Sequence, residues 1–106
     1  MATVSMSMAR TAFATTLGDL YTIPLTTTTA IVTNIVVTNT APTVEKFTIT
    51  LDGVELFDET PIAGNSTISI DMKQVLNAQA APTKKIRGFA TSTSVKVHIS
   101  GIEVIV

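Results

Sequence analysis

The chain has 106 residues, a formal net charge of −1 and no cysteine. That length holds one domain with a single modest core, while near-neutrality offers no field to draw in nucleic acid or an anionic membrane, and without cysteine no disulfide framework or thiolate metal site can form. Charged residues make up only 14% of the chain and mean hydropathy is +0.44, a composition that points to a surface partly covered by a partner.

The N-terminal stretch, Met1 to Leu17, is built mainly from Met, Ala, Ser and Thr, with Phe13 and Leu17 as bulky anchors. It has no clear period and reads as an extended arm (1–17) ahead of the main domain (18–106), held by that domain or by a neighbour. On this reading, deleting Met1 to Thr16 leaves a folded domain. The arm carries one charge, Arg10, and lacks the basic start and apolar core of a signal peptide, so synthesis in the cytoplasm is expected. No stretch approaches the ~18 apolar residues of a membrane helix.

Strand signals begin at Leu20 to Ile23, which Pro24 stops. Ala30 to Thr40 follows, with Ile31, Ile35 and Val37 on one face and Val32 and Val36 on the other; apolarity on both faces suggests a central strand or one buried beneath the arm. Val44 to Leu51 alternates Phe47, Ile49 and Leu51 inward against Lys46, Thr48 and Thr50 outward. Asp52-Gly53 is the strongest hairpin signal, since both positions tolerate the positive φ of a type I′ turn, and Val54 to Phe57 pairs back. After Pro61 to Asn65, Ser66 to Met72 directs Ile68, Ile70 and Met72 inward. Lys73 to Ala81 is the one plausible helical turn, anchored by Val75 and Leu76 and ended by Pro82. Ile86 to Ala90 is a strand, and from Ser94 strict alternation puts Val95, Val97 and Ile99 against Lys96, His98 and Ser100. Beyond Gly101, Ile102 and Val104 share one face and Ile105 shares the other with Glu103, stranded outside the core. About eight short strands with essentially no helix predict an all-β fold: one antiparallel β-sandwich or jelly roll with an extended N-terminal arm. Phe47, Ile49, Leu51, Ile68, Ile70, Val95, Val97 and Ile99 are expected to share its core.

No reactive constellation accompanies the strands. His98, the single histidine, falls on a polar strand face and reads as solvated or as an interface residue, since a metal would need two or three further ligands. The acidic group Asp52, Glu55, Asp58 and Glu59 lacks the D-x-D-x-D-G spacing of a calcium loop. A carboxylate pair acting on sugars would need stacking aromatics, and there is no Trp and one Tyr. Lys84, Lys85 and Arg87 form a small basic patch, read as an edge that discourages strand addition or as a dock for an acidic partner. Asn65-Ser66-Thr67 spells a glycosylation sequon but reads as a loop. An enzyme is not expected, nor any cofactor or metal.

The phrases Leu20-Tyr21-Thr22-Ile23-Pro24, Val36-Val37-Thr38-Asn39-Thr40, Phe47 to Gly53 and His98-Ile99-Ser100-Gly101-Ile102-Glu103, in this strand order, resemble a group of small tailed-bacteriophage virion proteins. The resemblance runs from about Leu20 to Val104. Two loops depart from that group: Leu25 and four threonines follow Pro24 where a glycine turn is usual, and Asn77-Ala78-Gln79 stands where N-A-G-D is usual. The resemblance implies a β-sandwich or jelly-roll protein of the virion, made in the host cytoplasm. Its first expected role is as a capsid decoration (cement) protein that binds the major capsid protein, or another virion protein, as a homo-oligomer, a trimer in the first instance. A tail, baseplate or fibre-attachment component is the alternative, and a carbohydrate-binding module for host attachment the third reading. The residues expected at the contacts are Met6, Met8, Arg10 and Phe13 of the arm, the basic Lys84, Lys85 and Arg87, and Ile105 of the apolar C-terminal strand.

Overall fold

The computed structural model describes residues 2–24, 28–77 and 84–105. They form eight strands: β1 (Ala2–Ala12), β2 (Gly18–Thr22), β3 (Thr28–Asn39), β4 (Glu45–Leu51), β5 (Val54–Ile62), β6 (Ser66–Asn77), β7 (Lys85–Ala90) and β8 (Val95–Ile105). Two four-stranded antiparallel sheets result, in the orders β1-β8-β3-β6 and β2-β7-β4-β5. The fold is the antiparallel β-sandwich that the alternation predicts.

Asp52 and Gly53 adopt φ of 58° and 78°, and Leu51 pairs with Val54 across them, so the turn that joins β4 to β5 forms where the dipeptide places it. The inward faces of both sheets supply the core: Val95, Val97 and Ile99 from β8, Ile35 and Val37 from β3, Phe47 and Ile49 from β4, and Ile86 from β7 are all buried. Leu51 and Ile68, also expected in that core, pack against it only partly buried. β3 lies between β8 and β6, the central position its two-sided apolarity suggests.

Some expectations hold and others are corrected. The N-terminal stretch is extended and is held by its own domain as a sheet member: β1 pairs with β8 from Ala2↔Ile105 to Ala12↔Lys96, and Met8, Ala9 and Phe13 are buried. Its removal would strip β8 of a partner and open the core. Residues 73–77 of the supposed helical turn continue β6 as strand, with Leu76 buried and Val75 half exposed, an alternation of period two; 78–81 lies outside the described residues. The inward set of β3 is Ala30, Val32, Ile35, Val37 and Asn39, not Ile31, Ile35 and Val37, because the pairing shifts between Val32 and Asn34 and reverses the phase of the strand. Thr48, expected outside, is 4% exposed, and its hydroxyl accepts the Glu59 N–H at 3.0 Å.

The shift in β3 belongs to a line of irregularities. β1 carries one extra residue, Met8, between Ser7 and Ala9; β3 carries Thr33; and β6 passes Met72 and Lys73 between Asp71 and Gln74. All three fall at the level of Ser100 and Gly101 in β8. Gly101 is buried there, and a side chain on it would run into the Ile31 carbonyl and the Met8 side chain. That close approach is why the closing strand carries a glycine.

Candidate interaction surface

The outer face of the β1-β8-β3-β6 sheet follows from these registers, since residues opposite one another in antiparallel strands share a face. Ser5, Ile102, Ile31 and Val75 stand side by side across all four strands, with Val104 one pair further along beside Thr3 and Thr29. Val75 is 50% exposed. Beyond the irregular line the face turns polar: Ser7, Ser100, Asn34 and Asp71 form one row and Arg10, His98, Val36 and Ser69 the next. One end of this face is therefore apolar and the other carries hydroxyls and scattered charges. His98 is exposed beside Arg10, as its alternation implies.

The residues expected at contacts separate into three kinds. Met8 and Phe13 are 7% and 1% exposed within their own core, where the Phe13 ring stacks on Phe47 at 6.0 Å, so neither is open to a partner; Met6 packs against the same core. The basic trio is neutralised at home. Lys84 pairs with Asp52 at 2.9 Å, and Lys85 and Arg87 both reach Asp19 at 2.9 Å. The Lys85 ammonium, above all, holds the Asp19 carboxyl below its usual range. Arg10 is exposed and remains available. Ile105 shares the Glu103 face, as expected, but that is the inward face; it is partly buried between its partners Ala2 in β1 and Thr28 in β3, and the outward residues of the tail are Ile102 and Val104.

Two buried polar groups escape the sequence reading. Glu103 lies between the sheets, 9% exposed, and accepts a hydrogen bond from the Tyr21 hydroxyl. Burial and the Glu103 hydrogen bond together push the Tyr21 phenol far above its usual range. Asn39, fully buried at the end of β3, donates from its amide nitrogen to the carbonyls of Thr43 at 2.8 Å, Ile62 at 3.2 Å and Ala63 at 3.3 Å, and its oxygen accepts the Ala41 N–H at 3.0 Å. It ties two loops to one end of the sandwich. A period-two pattern only marks Asn39 and Glu103 as polar residues at inward positions, which is the signal that could have found them.

Among the described residues no three of His, Asp and Glu gather as a metal would require. No helix among them is long and apolar enough to cross a membrane. An open groove of about 400 Å³ lies between β5 and β6, lined by Leu51, Val54, Leu56, Val75 and Leu76 with Asp52, Glu55 and Gln74 at its polar side. Nothing in it combines a nucleophile with a base.

No family model and no curated protein sequence matches this chain. Its fold does match solved structures. One is the structure of infectious bursal disease virus, Gx strain, with a TM-score of 0.57 and 10% identity over 98% of this chain. Another is the T13 viral particle of the same virus, with a TM-score of 0.54 and 10% identity over 98% of this chain. The chain spans about a third of the length of those chains, 32% and 31%. At that identity the likeness is one of fold.

Proposed function

We propose that this domain is a non-enzymatic structural component of a virion that decorates the outside of a capsid, bound to the major capsid protein or another virion protein as a homo-oligomer. The observation that carries the reading is the fold match: 98% of the chain follows the course of a segment of the chains in infectious bursal disease virus particles. Surface chemistry supports it. An outer sheet face that is apolar at one end and covered by hydroxyls at the other suits a fixed contact better than a soluble, turnover-driven role.

Quantitative mass spectrometry of purified particles tests the proposal. Copy number on the scale of the major capsid subunit is expected. A few copies per particle would move the protein to the tail, baseplate or fibre attachment, and its absence from particles would overturn the virion reading.

A further inference from the structure

Of the four edge strands, two are blunted against pairing. β2 has five residues and an irregular register; β5 carries Pro61, a positive φ at Glu59 and three acidic residues. β1 and β6 are both long and each carries one irregularity in its ladder, at Met8 and at Met72 and Lys73, but β1 has Arg10 as its single charge and β6 carries charges of both signs. β6 runs twelve residues without proline, glycine or a positive φ, it pairs only with β3, and its other edge meets no strand among the described residues.

We infer that β6 pairs with the β6 of a second copy of this chain, antiparallel and centred on Met72. The argument is charge complementarity built into the strand. Asp71 and Lys73 flank Met72 and both point outward, so a twofold axis at Met72 sets Asp71 opposite the partner's Lys73 and Lys73 opposite the partner's Asp71. The Asp71 carboxylate is already oriented by the Asn34 amide at 2.9 Å, while Lys73 is exposed and makes no ion pair among the described residues. The same register sets Ile68 opposite the partner's Leu76 on the core face, and both belong to or pack against the core. An axis at Asp71 or Lys73 sets that residue against its own kind, and no other register sets the two opposite charges against each other, so the charges select this one. The product is a continuous eight-stranded sheet across two copies. This inference deepens the homo-oligomer part of the proposed function without depending on the virion part.

Sedimentation equilibrium of the full chain tests it, with melting curves of every variant as the check on folding. The wild type should be a dimer. Asp71→Lys or Lys73→Asp alone turns both cross-strand pairs repulsive and should weaken the dimer by about tenfold or more, and the double swap should restore it. Because the chain has no cysteine, Met72→Cys gives a second readout: oxidised glutathione should cross-link it into a dimer far faster than Thr67→Cys, whose partner across the axis is Asn77. A monomeric or trimeric wild type, a double swap as weak as the single ones, or equal cross-linking at both cysteines would overturn the inference. Each of these outcomes is independent of copy number in particles.

Discussion

The hydroxyl of Tyr21 donates a hydrogen bond to the carboxyl group of Glu103, joining β2 of one sheet to β8 of the other through the interior. Tyr21→Phe keeps the ring and leaves the buried Glu103 carboxyl without that donor, which should cost about 1–3 kcal/mol. Glu103→Gln, which still offers an acceptor, should cost less. Alkaline titration gives an independent check. The phenol titrates far higher in the folded protein than unfolded, so its contribution is complete below the unfolded value near 10 and is lost as pH rises through the folded one. Melting temperature should therefore fall above about pH 10 more steeply in the wild type than in Tyr21→Phe.

Strand positions and most of the core were legible because alternation survives in β4, β7 and β8, where Phe47, Ile49, Val95, Val97 and Ile99 are buried as their spacing requires. Phase was lost where the ladder skips a residue. Nothing in Val32-Thr33-Asn34 announces an extra residue, so the pattern alone puts Ile31 on the wrong face. That the arm is a sheet strand is not legible for a related reason: Met, Ala and Ser carry little β signal of their own, and β1 becomes a strand because the edge of β8 accepts it. Of the contact residues, exposure of Arg10 followed from composition, whereas the ion pairs of Lys84, Lys85 and Arg87 depend on Asp19 and Asp52, brought close only by strand pairing.

Ile49→Ala should cost about 2–5 kcal/mol in chemical denaturation, as removal of a packed core aliphatic does. Thr48→Ala should cost about 1 kcal/mol, because the part-buried Glu59 N–H loses its acceptor. A negligible loss at Thr48 would show that this hydrogen bond contributes nothing.

Thr50 points the other way on the scale. Its hydroxyl is buried with no hydrogen-bond partner among the described residues. Thr50→Val replaces it with a methyl group of the same shape and should raise stability by about 1 kcal/mol, read as a higher denaturation midpoint at unchanged slope.

Deletion of residues 1–16 should yield an unfolded or aggregating chain, since it removes Met8, Ala9 and Phe13 from the core and bares the long edge of β8. A truncated chain with a cooperative melt near that of the full chain would show that the remaining seven strands suffice.

Gly101→Ala should destabilise by about 1–3 kcal/mol through overpacking against the Ile31 carbonyl and Met8. Trimming Met8 to Ala in the same chain should recover only the side-chain part of that loss.

The residue inserted at Thr33 also governs how this chain can change its length. On one side of it β3 turns Ala30 and Val32 to the interior, and on the other Ile35 and Val37. Deleting Thr33 itself would leave Val32 and Asn34 on the faces they already hold, whereas losing or gaining a residue elsewhere in the strand, at Ile31 or Val36 for example, would slide one half by one position and turn its inward set outward. Codon loss, harmless in most surface loops, is therefore tolerable in this strand only at the skipped position, and other length variation should be confined to the turns.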